Sequence, residues 1–330
     1  MSSSSHHNIH SKLSAAGLLI TLGIIFGDIG TSPLYVMNSI IGNYAITSDI
    51  VLGGISCIFW TLTLQTTLKY VIITLSADNH GEGGIFALFA LEKKKKIKWL
   101  IVPAIIGGST LLADGIITPP ISVSSAVEGL KIFYPHLEVW DIQRIVIFIL
   151  IILFIIQQYG TKLVGKFFAP SMLIWFSMLG TLGAIQIVQN FNVLKALNPY
   201  YAYHLLSAHP EGFFVLGAVF LCTTGAEALY SDMGHCGRKN IRVSWIFVKV
   251  MLLLNYFGQG AFLINHEGKT LQELGGANGN PFYLIMETWF QPIGVVIATL
   301  AAVIASQALI SGSFTLINEA IRLNFWPKVK

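Results

Sequence analysis

The sequence predicts an all-α integral membrane protein with about eight transmembrane helices, the first and sixth of them broken. Three observations carry this. Of 330 residues, 54% are hydrophobic and only 11% are charged, where a soluble domain carries about 25% charge. The charged residues fall in short clusters between apolar runs of about 20 residues or more, the length needed to cross a bilayer. Two of those runs carry glycine and an acid where an unbroken helix would carry neither.

Eight spans can be drawn, at 15–42, 50–77, 99–129, 142–160, 165–190, 211–235, 241–265 and 290–322. Residues 1–14 are a polar tail without a secretory signal, and its two adjacent histidines read as solvated. Residues 270–289 form a separate loop carrying a short surface helix. Fourteen lysines and arginines lie in the tail and in loops on its side of the membrane, among them Lys93 to Lys96, Arg238 and Arg242. The other side holds Lys131, Arg144, Lys195 and Lys269. The positive-inside rule then puts both termini in the cytoplasm. Lys69 is placed to snorkel, whereas Lys249 lies deeper.

The scattered loop positions of the basic residues argue against nucleic-acid binding. Cys57, Cys222 and Cys236 have neither zinc-site nor disulfide spacing and read as small buried hydrophobes. No cofactor motif is present.

An acid at the bilayer centre costs about 2.5–3.5 kcal/mol even on the mildest scale, so acids deep in spans mark function. Asp28 is the first, in GIIFGDIGTSPLYVMNSII. Gly27 and Gly30 interrupt the helix, Thr31 and Ser32 can cap the half-helix beyond the break, and Pro33 suits a restarted first turn. The pattern predicts two half-helices joined by an unwound stretch whose carbonyls point into a cavity, a cage for a hard cation. A proline-kinked helix with a hydrogen-bonded aspartate is the weaker alternative.

Asp114, in LLADGIITPPISVSSA, lies about 22 Å into span three at about 1.5 Å per residue. Thr118 shares its helical face, and Pro119 and Pro120 free the carbonyls of Gly115 and Ile116. Glu128, near the outer end, reads as solvated. Glu227, in VFLCTTGAEALYSDMGH, is equally deep in span six, beside a second break at Thr223, Thr224 and Gly225. Asp232 and His235 read as ordinary interfacial charge. Carboxyls sharing a cavity repel one another, so one of them can carry an exchangeable proton; Glu227 is the candidate.

Spans one and six run in opposite directions and lie five apart, as in transporters built from inverted five-helix repeats. A proton-coupled amino-acid symporter of that architecture is the alternative, disfavoured because Asp28 stands where a substrate carboxylate would bind. A potassium channel would need a filter such as TVGYG, which is missing. A membrane hydrolase would need an intramembrane dyad, and none is evident, so the chain does not read as an enzyme.

The strings GDIGTSPLY (27–35), NHGEGGIFALFAL (79–91), LADGIITPPISVSSAVEGL (112–130), TTGAEALYSDMGH (223–235) and SQALISGSFTLINEAI (306–321) closely resemble the signatures of the Kup/HAK/KT potassium-uptake permeases. The resemblance runs in order along nearly the whole chain. It implies proton-coupled potassium import on a LeuT-like fold of the amino acid–polyamine–organocation type, in the plasma membrane (the inner membrane of a bacterium). Its potassium positions fall on Asp28, Tyr35, Asp114, Thr118 and Thr224, with Asp28 and Asp114 as the carboxylate ligands, and its proton-linked acid falls on Glu227. Tyr35 enters only through the resemblance. The implied partners are potassium, a proton and the lipid bilayer, and a homodimer is compatible with it. The family core has ten spans, usually twelve in all, and a cytoplasmic C-terminal domain. A chain ending at Lys330 has an incomplete second repeat, as expected of a fragment or an unusually short member. The NHGEGG stretch reads equally as an inner gate or as a tight loop.

Overall fold

The structure is a computed structural model that describes residues 13–79, 81–93, 98–157, 162–208, 212–275 and 279–327. Most of the polar tail, His80, Lys94 to Lys96, Lys328 and Lys330 lie outside the described residues. Elements among the described residues are helical, and the one β-type contact is an isolated bridge between Asn79 and Glu82.

The first apolar run is not one helix. It comprises α1 (Ala15–Ile24), α2 (Gly27–Thr31), a 3-10 turn (Ser32–Leu34) and α3 (Val36–Ile41). Ser14 caps α1 by accepting from the Gly17 amide. The axis bends by 67° between α1 and the Gly27–Leu34 segment.

This corrects the expected unwound stretch. The break comes at Ile25 and Phe26, and residues 27–31 are helical. Thr31 and Ser32 cap nothing with their side chains at the next turn. Thr31 instead donates back to the Asp28 carbonyl at 2.9 Å. A hydroxyl bonding back along its own helix is a common alternative to capping.

Span two is α4 (Ser48–Thr61), which widens into π-type turns over Leu62–Ile73. Next come α5 (Ile85–Lys93), α6 (Ile101–Val127), α7 (Val139–Gln157), α8 (Lys162–Gln189) and α9 (Pro199–Ala208). Pro119 and Pro120 sit inside α6 without interrupting it.

The sixth apolar run is broken. It consists of α10 (Gly212–Phe220), a 3-10 turn (Leu221–Thr223), a turn through Gly225, then α11 (Ala228–Ser231) and α12 (Met233–Cys236). Thr224 leaves the helix at φ −55°, ψ 133°, and Gly225 comes next at φ +85°. That second value is one which L side chains rarely adopt.

The chain closes with α13 (Arg238–Ile264), α14 (Leu271–Gly275), α15 (Pro281–Leu284) and α16 (Gln291–Arg322). The expected short surface helix is overturned for α15, whose Pro281, Phe282 and Tyr283 are buried. Tyr283 donates to the Ala126 carbonyl of α6 and Phe282 packs on Trp175 of α8, which is why this helix does not lie on the surface.

Seven helices among the described residues are long and apolar enough to cross a membrane, and the bent pair makes eight if it counts as one span. The helices pack closely where glycine permits. Gly258 of α13 lies so near Gly183 of α8 that a β-carbon on Gly258 would come 2.4 Å from the Gly183 Cα. Small residues at such a crossing let dispersion contacts form between backbones, which is how helices associate in lipid. The faces of α6 and α7, by contrast, expose Ile105, Ile116, Ile147, Phe148 and Phe154.

Cys57, Cys222 and Cys236 are free thiols in the interior. The Lys249 ammonium donates to the Thr63 hydroxyl at 3.1 Å and lies 6.0 Å from the Phe59 ring centre. Glu128, expected to be solvated, is half-buried at the end of α6, where Gly129 packs against Tyr283 and Val295.

Candidate functional site

The two breaks meet. A β-carbon on Gly225 would come 2.6 Å from the Asp28 Oδ2 atom, so the sixth run's turn rests directly on the first run's acid. Asp28 is buried, and its Oδ2 atom has no hydrogen-bond partner in the protein. Asp114 and Glu227 are its charged neighbours. Asp114 accepts from the Thr118 hydroxyl at 2.6 Å, while its own Oδ2 atom is buried without a partner. Glu227 is in side-chain contact with Asp114. Two carboxyl groups in contact repel unless a proton or a cation stands between them.

Hydroxyls gather on the other side of Asp28. The Tyr35 hydroxyl is 3.3 Å from that of Ser32 and has Ser122 as a further neighbour. Ser122 lies 3.4 Å from the Thr31 hydroxyl. The α6 residues Asp114, Thr118 and Ser122 are spaced four apart, so they form one stripe facing the bend of the first run. Thr224 is half-buried next to Gly225. Ser32 and Ser122 were missed from the sequence as members of the site. The signal for Ser122 was present, one helical turn beyond Thr118.

Three carbonyls of the stretch expected to offer free ones are bonded to side chains. Trp175 Nε1 donates to the Gly30 carbonyl at 3.0 Å, Gln259 to that of Pro33 at 3.0 Å, and Asn280 to that of Leu34 at 2.7 Å. A buried carbonyl without a partner costs about 1–3 kcal/mol, and here side chains from distant helices remove that cost. Among the side-chain oxygens left buried without a partner are the Oδ2 atoms of Asp28 and Asp114.

Among the described residues no three His, Cys, Asp or Glu side chains converge as a metal site would require. The three acids neighbour one another without closing on one point. A cavity of about 70 Å³ is lined by Asp28, Glu227, Gly84, Asp232, Ser313 and Glu319, with further small and apolar residues between them. Asp232, read from the sequence as plain interfacial charge, is thus part of a cavity wall. Tyr35, Asp114, Thr118 and Thr224 are not among its lining residues.

A family model described as the K+ potassium transporter integral membrane domain matches residues 15–330. The chain is 80% identical over 328 residues to a probable potassium transport system protein Kup of Flavobacterium johnsoniae, covering 99% of this chain and 50% of that protein. A protein of the same description from Cytophaga hutchinsonii is 62% identical, with 97% and 48% covered. One from Clostridium perfringens is 52% identical, with 97% and 49% covered. The chain spans about half the length of these relatives. No solved structure matches it. The chain therefore belongs to the K+ potassium transporter integral membrane domain family, the Kup/HAK/KT potassium-uptake permeases.

Proposed function

We propose that this chain binds potassium where the two broken helices meet, and that it forms the ion-translocating part of a proton-coupled potassium symporter. The supporting observation is the pair of buried carboxylate oxygens, Asp28 Oδ2 and Asp114 Oδ2, that no protein donor reaches. A buried carboxylate without a partner is costly, and either a proton or a cation relieves the cost; here the cation does so when it arrives and a proton when the cation leaves. Potassium is a weakly hydrated monovalent cation, suited to a mixed shell of carboxylate and hydroxyl oxygens. Tyr35, Thr118 and Thr224 supply hydroxyls alongside Asp28 and Asp114. The names of the relatives, which concern potassium transport, favour this ion over others.

Glu227 is the proton carrier in this reading. It lines the cavity and is a neighbour of Asp114, which supports one residue serving both the ion and the proton. Alternating access on an inverted-repeat, LeuT-like core would then expose the site to each side in turn, with both termini cytoplasmic. The amino-acid symporter alternative gains nothing from the site, because an acid stands at the break where a substrate carboxylate would be repelled.

The test is equilibrium binding of radioactive rubidium to the purified chain. Saturable binding displaced by potassium and not by equimolar sodium is expected. Absence of saturable binding, or equal displacement by sodium, contradicts the reading.

A further inference from the structure

The residue that the resemblance added to the site, Tyr35, is an irregular joint between two helical elements. Its φ of −135° and ψ of −19° belong neither to the 3-10 turn before it nor to α3 after it. An aromatic side chain leaving such a joint is aimed only as well as the joint is held. Two side chains hold it. Gln259 Nε2 donates to the Pro33 carbonyl at 3.0 Å, and Asn280 Nδ2 donates to the Leu34 carbonyl at 2.7 Å. Each carbonyl belongs to a rigid peptide plane, so two consecutive planes leading into Tyr35 are fixed. The second plane is pinned at its other edge, where the Tyr35 amide donates to the Ser32 carbonyl at 3.1 Å.

Asn280 is itself rigidly mounted. Its Oδ1 accepts from the Phe282 amide at 3.0 Å and so caps α15. Tyr283 donates to the Ala126 carbonyl of α6 at 2.8 Å, and Gln186 of α8 donates to the Ile285 carbonyl at 3.2 Å. Phe282 packs on Trp175 with ring centres 5.6 Å apart. Gln259 is likewise buried, and its amide nitrogen also reaches Asn255 Oδ1 at 2.8 Å.

We propose that Asn280 and Gln259 are positioning residues for the cation site, clamping the Leu34 and Pro33 carbonyls so that the Tyr35 hydroxyl is held beside Asp28. The proposal rests on the potassium reading above. It assigns a role to the 279–286 segment, which carries none of the acids, and makes it sense the site through a single hydrogen bond.

Asn280→Ser separates this role from simple structure. Serine caps a helix about as well as asparagine, so the bond to the Phe282 amide can persist, but a serine hydroxyl is too short to reach the Leu34 carbonyl. The change is also neutral and adds no field at the ion. Rubidium binding to the purified chain should weaken about fivefold to tenfold, the worth of one lost hydrogen bond. Gln259→Met, which keeps length and removes the donor, should act in the same direction.

The decisive readout is a double-mutant cycle. In a Tyr35→Phe background, where no hydroxyl remains to be aimed, Asn280→Ser should alter rubidium affinity by less than about twofold. An equal effect in both backgrounds, or none with Tyr35 present, overturns the proposal; Gln259→Met decides the matter by the same cycle if Asn280→Ser does not elute as a folded protein. If the unaltered chain binds no rubidium, the potassium reading falls and this proposal falls with it.

Discussion

Gly225 and Asp28 are in direct contact: a β-carbon on the glycine would stand 2.6 Å from the Asp28 Oδ2 atom and 2.7 Å from its Cβ. The contact joins the turn of one broken helix to the acid of the other, and only a residue without a side chain permits it.

Gly225→Ala should therefore fail on two counts. Its φ of +85° is unfavourable for alanine, by about 1–2 kcal/mol, and the new methyl group displaces the carboxylate. Rubidium affinity should fall more than about tenfold, roughly the factor that 1.4 kcal/mol brings. Thermal unfolding should occur at lower temperature. Retained affinity would show that the two breaks do not share the ion.

Trp175→Phe tests the carbonyl clamp elsewhere. It preserves an aromatic ring against Phe282 but removes the donor to the Gly30 carbonyl. A buried carbonyl left without a partner should lower stability by about 1–3 kcal/mol, read from chemical or thermal denaturation in detergent. An unchanged midpoint would mean that water reaches Gly30.

Glu227→Gln should remove the pH dependence of uptake while leaving cation binding in place. Glutamine is nearly the same shape as glutamate but has no titrating proton. The comparison is rubidium uptake against external pH for the two proteins, with binding measured in parallel. Unchanged pH dependence would rule Glu227 out as the proton carrier.

Away from the site, Glu267 ties the loop after α13 to the start of α4. It accepts from the Ser48 amide and the Ser48 hydroxyl, each at 2.7 Å, and these bonds to its ionised form hold its carboxyl below the usual range. Its contribution is therefore fully present above the ordinary value of about 4.3 and is lost as pH falls through the lowered one. Carbon-detected NMR titration should give a midpoint below about 4.3 for Glu267. A midpoint at or above that value would show that the bonds are not maintained in solution.

The acids of the site were legible because burying charge in a membrane is expensive. Asp28, Asp114 and Glu227 stand out by depth alone, and the structure makes them neighbours. The bends were legible in kind but not in position. Gly27, Gly30 and Pro33 announce a break, yet the helix parts at Ile25 and Phe26, because local glycines permit a bend without deciding where packing puts it.

The fate of the carbonyls was not legible at all. Whether Gly30, Pro33 and Leu34 face an ion or a protein donor depends on Trp175, Gln259 and Asn280, between 145 and 246 residues away in sequence. Nothing local marks such a partner. Tyr35 was invisible for a similar reason, since a tyrosine near a helix end is ordinary until its hydroxyl is seen beside Ser32 and Ser122.

If Asp28 holds the transported potassium, uptake depends on its carboxylate. Rubidium uptake by cells lacking other potassium systems, expressing either the unaltered chain or Asp28→Asn at equal membrane levels, tests it most directly. Saturable uptake by the unaltered chain and uptake at background in the variant are expected. Unimpaired uptake by Asp28→Asn would contradict that role for Asp28.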